Sequence, residues 1–163
     1  MIGPLAHTDE FNRLLGMFHY NWSATDLHVD YAIYQFLGIT PLQAHLITSG
    51  MLFGRKIRLL VDLIKHSNHN ERVALLAVLG RITKANRDII AHAWVRSDAN
   101  TVVFLERKIS GPFSAKEHAF SLPEFTAHVT EVATAGTEFR QLLNVSSPEL
   151  HGFANAALNI NRK

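Results

Sequence analysis

Three side chains near the middle of the chain combine the groups needed to cleave a phosphodiester bond. Arg87 and Asp88 are adjacent, and His92 follows Asp88 by four residues. Side chains four apart share one face of a helix, so the carboxylate of Asp88 can orient the imidazole of His92. An imidazole can take the proton of a ribose 2′-hydroxyl or protonate the leaving 5′-oxygen, while an arginine neutralises the charge of the transition state. These residue types indicate metal-free RNA cleavage, although Asp–His pairs at helix ends also occur as simple structural caps.

The helix that must carry these groups is predicted over residues 70–92. At about 100° per residue, Leu79 and the isoleucines that follow it define a buried side. Asp88 and His92 then lie on the opposite face, and Arg87 lies on the flank, within reach of that face. The outward face also carries two further basic residues, Arg81 and Lys84.

Positive charge is concentrated in the same region of the sequence. Residues 55–96 hold nine of the 16 lysines and arginines but only three of the 14 acidic residues. Such a segment indicates a basic face that could meet an anionic polymer, and it is also typical of an ordinary solvated helix surface. The candidate RNA-contacting residues are Arg81, Lys84, Arg55, Arg58 and Arg96.

The rest of the chain is predicted to form a helical scaffold. Periodic apolar residues and capping signals place helices over residues 9–37, 41–65, 70–92 and 122–143, with a β-hairpin over 94–106, a loop over 108–119 and a C-terminal tail over 146–163. The start signals are Thr40 with Gln43 and Ser121 with Glu124, and Gly38 is the stop signal of the first helix. We therefore expect one domain over residues 1–163, all-α, with a small hairpin between the third and fourth helices.

Composition excludes several classes of site. The chain has no cysteine, so disulfides and thiolate chemistry are absent. His66 and His69 form a short histidine pair without a third ligand nearby, and no phosphate-binding glycine loop occurs, so neither a metal nor another cofactor is expected. The longest apolar run, Val73 to Leu79, is far shorter than a membrane span, and the N-terminus lacks secretory signal features. We expect a cytoplasmic protein without membrane contact.

The run Asn86-Arg87-Asp88-Ile89-Ile90-Ala91-His92 resembles the R-x4-6-H signature of the HEPN superfamily of helical nucleotide-binding domains. The order of elements, with the motif at the end of the third helix, is similar over residues 8–144. The resemblance implies a four-helix bundle that forms a homodimer, with two motifs facing each other in one RNA cleft. Arg87 would hold the scissile phosphate, His92 would act as general acid/base and Asp88 would orient it.

The resemblance leaves two functions open. One is a metal-independent endoribonuclease, such as a toxin or defence component, partnered by an antitoxin or regulatory protein. The alternative is a non-catalytic module of the same fold that binds RNA, a nucleotide or a protein. Toxins of the superfamily that pair with nucleotidyltransferase antitoxins typically have a tyrosine two places after the histidine, where this chain has Trp94.

Overall fold

A computed structural model describes residues 7–97, 100–108 and 112–158 of the chain. Helices predominate in these residues, and three strands form one antiparallel sheet. In chain order the elements are α1 (His7–Leu37), α2 (Pro41–Thr48), α3 (Phe53–Lys65), α4 (Arg72–Ile82), α5 (Arg87–His92), β1 (Trp94–Ser97), β2 (Thr101–Lys108), β3 (Ser114–Ser121), α6 (Leu122–Leu142) and α7 (Ser147–Leu158).

The long helix α1 is the centre of the packing. Helices α3 and α6 lie against it, and its residues Phe11, Phe18 and Ile33 are buried. Those residues recur at the spacing of one helix face, so burying that face drives the association. Gly38 ends α1 with a φ of +63°, a conformation that a side chain would disfavour.

Local start signals act as the sequence predicts. Thr40 accepts a hydrogen bond from the backbone nitrogen of Gln43, whose side chain bonds back to the backbone of Thr40. Ser121 and Glu124 form the same reciprocal pair at the start of α6. These capping boxes satisfy N–H groups that a helix start otherwise leaves without partners.

Two of the expected helices are each divided in two. The helix expected over 41–65 is interrupted between α2 and α3, where Ser49 and Gly50 are poor helix formers and Leu52 is extended. The helix expected over 70–92 ends at Ile82 and restarts at Arg87. Asn86 lies between them with a φ of 52°, in the left-handed region that asparagine tolerates better than most residues.

The second break overturns one expectation about the site. A continuous helix would place Arg81 and Lys84 on the same face as Asp88 and His92. The left-handed residue changes the chain direction before α5 begins, so that shared face does not exist. The prediction was wrong because it assumed an unbroken helical rotation from residue 70 to residue 92.

The strands form a sheet in the order β1-β2-β3, with both pairs antiparallel. A hairpin over 94–106 was expected and residues 108–119 were expected to be a loop, but Ser114–Ser121 is a third strand. Most of β3 is exposed, and only its end contributes an apolar side chain, Phe120, which packs against Phe104 and Phe125. Pairing with β2 stabilises this strand more than its own hydrophobic pattern does, which explains the missed assignment.

The segment expected as a tail over 146–163 contains α7. Leu150 and Phe153 of this helix are buried, and the Phe153 ring contacts those of Tyr31 and His45. Residues 159–163 lie outside the described part. Among the helices that are described, none is both long and apolar enough to cross a membrane. The fold is thus predominantly helical with a three-stranded sheet, and it is not a pure four-helix bundle.

Candidate active site

The helix that carries Arg87, Asp88 and His92 is short and is fixed at both ends. Its side chain Ile90 is only 3% exposed and anchors α5 in the core. Before α5, the carbonyl oxygen of Ala85 lies 2.9 Å from Nε2 of His128 on α6, and the imidazole nitrogen must be the donor of this hydrogen bond. After α5, Ala93 is extended and leads directly into β1. The six residues of α5 are therefore held between a contact with α6 on one side and the start of the sheet on the other.

Arg87 connects the other two groups of the motif. Its Nη1 atom donates to Oδ1 of Asp88 at 3.0 Å and lies 3.2 Å from Nε2 of His92. The Asp88 carboxylate is 89% exposed, and His92 is exposed as well. In the described part of the chain, the carboxylate accepts its hydrogen bond from Arg87 rather than from the imidazole. Asp88 thus acts on His92 through the guanidinium and not by the direct contact that the spacing predicts.

The contact with Arg87 determines the tautomer of His92. A guanidinium only donates hydrogen bonds, so Nε2 must accept, and a neutral ring then carries its proton on Nδ1. The lone pair of Nε2 points toward the group that would neutralise a phosphate. A ligand that draws Arg87 away would release a base at the same position.

A groove of about 690 Å³ opens beside this motif. Its lining comes from α1, α3, the end of α4 and the start of α5, and it combines an apolar floor with two arginines. Trp22 and Phe53 contribute to the floor, with ring centroids 4.4 Å apart, while Arg58 and Arg87 contribute positive charge. Such a mixture of apolar surface and a few charged groups is typical of ligand sites.

The five basic candidates fall into different environments. Arg58 lines the groove together with Arg87 and is exposed. Arg55 and Lys84 are exposed but do not line it. Of these three candidates, the structure thus brings only Arg58 to the groove that Arg87 and Asp88 line.

The remaining two candidates are held by carboxylates. Arg81 forms ion pairs with Glu131, at 2.7 Å, and with Glu138, both on α6. The hydrogen bond to Glu131 and, to a smaller extent, the one to Glu138 raise the pKa of Arg81 above its usual value. Arg96 pairs with Glu117 at 2.8 Å. In this conformation Arg81 connects α4 to α6, so it contributes to the scaffold beneath the motif.

An ion cluster around the buried Lys56 lies beside the wall of the groove. Lys56 is 6% exposed, and its Nζ lies 2.9 Å from carboxylate oxygens of both Asp26 and Asp30. Burial alone would lower the pKa of Lys56, but hydrogen bonds to Asp30 and Asp26 outweigh it and raise the pKa. Burial raises the pKa of Asp30. The cluster ties α3 to α1 next to Ile57 and Arg58, which line the groove.

Sequence reasoning missed the groove and the residues that hold it. In the sequence, Lys56 lies between Arg55 and Arg58 and resembles an ordinary exposed basic residue. No residue near it in the sequence indicates that two aspartates of α1 pair with it. Their spacing of four residues on α1 is a faint signal that they share one face. His128 carries no local signal, since its partner Ala85 lies 43 residues earlier.

Two histidines outside the motif, His69 and His118, have contacts typical of structural residues. His69 Nδ1 accepts a hydrogen bond from the backbone of Glu71, and its ring packs on Phe36, as suits a residue in a turn between helices. His118 lies 3.0 Å from Glu106 on the neighbouring strand. Over residues 7–97, 100–108 and 112–158, no group of three or more histidine, aspartate or glutamate side chains is arranged to hold a metal ion.

The motif and its groove have to be interpreted from their own chemistry. No family model, no curated protein and no solved structure matches this chain.

Proposed function

We propose that this protein is a HEPN-like, metal-independent endoribonuclease whose reacting groups are Arg87, Asp88 and His92. The observation that carries the proposal is the contact between Nε2 of the exposed His92 and Arg87, which itself lines a groove together with Arg58. A phosphodiester suits this arrangement, because a phosphate oxygen can replace Nε2 as the acceptor of the guanidinium hydrogen bond.

The proposed reaction uses the ribose itself as the nucleophile. With Arg87 on the phosphate, Nε2 of His92 takes the proton of the 2′-hydroxyl, and the 2′-oxygen forms a bond to phosphorus. The bond from phosphorus to the 5′-oxygen breaks, and that oxygen receives a proton. The products are a 2′,3′-cyclic phosphate and a 5′-hydroxyl. Arg87 and Arg58 neutralise the negative charge that develops on the phosphoryl oxygens.

A homodimer fits this chemistry. One imidazole must accept a proton while another group protonates the leaving 5′-oxygen, and a second His92 from a facing copy would supply that acid. The proposal includes such a composite cleft in a cytoplasmic protein, with an antitoxin or regulatory protein as a further partner. Light scattering after gel filtration measures the oligomeric state, and a monomer at all concentrations would contradict the composite cleft.

The decisive experiment compares wild type, His92→Ala and a matched control in EDTA on a mixed RNA substrate. The control is His151→Ala, because His151 is an exposed histidine on α7, outside the motif. We expect cyclic-phosphate ends from wild type and the control, and a loss of at least 100-fold in His92→Ala. Cleavage that requires added Mg²⁺, or that survives in His92→Ala, would refute the mechanism.

A second function is a non-catalytic RNA-, nucleotide- or protein-binding module of the same type. The observation in its favour is that His92 is not among the residues that line the groove, so a ligand in the groove need not contact the imidazole. In that case no RNA is cut, and Arg87→Ala and His92→Ala leave binding or assembly intact.

A further inference from the structure

The side of the sheet opposite the helical core presents an aromatic residue next to the motif. Trp94 faces Leu105 across the β1–β2 pair, and Leu105 alternates with the buried residues Val102 and Phe104. Side chains alternate along a strand, so Trp94 and Leu105 lie on the opposite side of the sheet from the core. Trp94 is 60% exposed, which is unusual for the largest apolar side chain.

Arg107 covers one side of the Trp94 ring. Its guanidinium carbon lies 3.7 Å from the ring centroid, in the geometry of a cation–π contact. Trp94 remains 60% exposed with Arg107 on one face of its ring, and from this we infer that the opposite face is accessible. A flat group placed there would complete a stack with the indole in the middle.

The position of this ring relative to His92 suggests what it binds. Only Ala93 separates the two residues, so their Cα atoms are at most about 7 Å apart. Neighbouring nucleotides of one strand can bridge such a separation. The flat Trp94 ring beside His92, which would act on a ribose, is suited to stacking with a nucleobase. Aromatic side chains bind unpaired bases of any identity in this way.

We propose that Trp94, supported by Arg107, stacks an unpaired base of single-stranded RNA next to the phosphate held at Arg87. This rests on the proposed function for its choice of RNA, and it adds a binding residue outside the motif, whose stack requires an unpaired base. In a duplex, bases already stack on their neighbours and cannot reach the indole without being pulled out of the helix.

The test measures binding without cleavage. A 2′-O-methyl single-stranded oligonucleotide lacks the hydroxyl nucleophile and cannot be cut by the proposed route. Fluorescence anisotropy measures the affinity. Acrylamide quenching measures how far the oligonucleotide shields tryptophan from solvent. Trp94 contributes most of the quenching signal, because Trp22 is only 8% exposed. We expect the oligonucleotide to protect Trp94 from the quencher, and the matched duplex to bind at least ten-fold more weakly.

The variants separate stacking from general stability. Trp94→Ala should weaken single-strand binding about ten-fold, while Trp94→Phe keeps most of it because a ring remains. The control is Tyr20→Ala, which removes another highly exposed aromatic residue, on α1. Circular dichroism checks that each variant is folded, and Arg107→Gln should show a smaller loss in the same direction.

Equal binding by Trp94→Ala and wild type, or equal binding of duplex and single strand, would overturn the stacking proposal. Because the oligonucleotide cannot be cleaved, this result does not depend on catalysis. Loss of binding in Trp94→Ala, together with no cleavage of natural RNA by wild type, would support the stacking site and refute the nuclease.

Discussion

Nη1 of Arg87 lies 3.2 Å from Nε2 of His92 and 3.0 Å from Oδ1 of Asp88, so one nitrogen of the guanidinium connects the carboxylate to the imidazole. This relationship differs from a simple Asp–His pair. The group that would bind phosphate also holds the histidine in one tautomer. In the proposed mechanism, phosphate binding and release of the base would therefore be coupled through a single side chain.

Arg87→Ala tests that coupling. Without the guanidinium, His92 is no longer held and the transition-state charge is uncompensated, so we expect kcat/KM for RNA cleavage to fall about 100- to 1,000-fold. Arg87→Lys retains the charge but not the planar fork of donors, and should recover only part of the loss. The matched control is Arg72→Ala, an exposed arginine on α4 that does not line the groove. Full activity in Arg87→Ala would show that the arginine has no part in the reaction.

His128→Ala tests the support of the turn before α5. This imidazole donates a hydrogen bond to the carbonyl of Ala85, which lies in the turn between α4 and α5. Losing the hydrogen bond should lower the free energy of unfolding by about 1 kcal/mol and increase the local opening of α5. We expect faster amide hydrogen exchange at Arg87–His92, and slower cleavage. Unchanged exchange there would mean that the turn is held by other contacts.

Local signals gave reliable predictions where neighbouring residues decide the structure. Gly38 stops α1, and Thr40–Gln43 and Ser121–Glu124 start their helices, because each signal acts within four residues. The break at Asn86 was not predictable in this way. The residues around Asn86 have the same helical pattern as the segments on both sides, and the hydrogen bond to Ala85 in this turn comes from His128, 43 residues later.

The proximity of the three motif residues was predictable from the sequence, but the contacts among them were not. The spacing of Asp88 and His92 correctly suggests that they are near each other, while the position of Arg87 between them follows from side-chain geometry that spacing does not specify. The groove was missed because its walls come from four separate helices. The burial of Lys56 was not predictable from neighbouring residues, because its charge partners are 26 and 30 residues away.

Lys56→Met tests the ion cluster that holds α3 against α1. Removing the ammonium leaves two carboxylates close together without their cation, which is costlier than losing the attraction alone. Asp26 is partly exposed, with 39% of its side chain accessible, so water relieves part of the cost. We expect the free energy of unfolding to fall by about 2–3 kcal/mol in urea denaturation. Lys65→Met is the control, since Lys65 is exposed on the same helix.

Asp30 should give this protein a characteristic pH dependence of stability. Burial raises its pKa above 3.8 in the folded state, so between that value and the raised one the folded protein binds more protons than the unfolded chain. The contribution of Asp30 to stability therefore falls as the pH rises through this window. Asp30→Asn removes the titration, and the difference in unfolding free energy between the variant and wild type should depend on pH there. A pH-independent difference would contradict the raised pKa.

Gly136→Ala tests the close contact between α1 and α6. A Cβ at residue 136 would overlap Oγ1 of Thr25, whose hydroxyl donates to the carbonyl of Asn21 on its own helix. Because Thr25 is 1% exposed and branched at Cβ, it has little room to rotate away. The gain in helix propensity from alanine is smaller than the cost of separating the two helices, so we expect a net loss of about 1–2 kcal/mol in unfolding free energy. Thr25→Ala in the same chain removes the overlapping oxygen, and the double variant should recover most of that loss. If the two substitutions are additive in a double-mutant cycle, the helices do not meet at this pair.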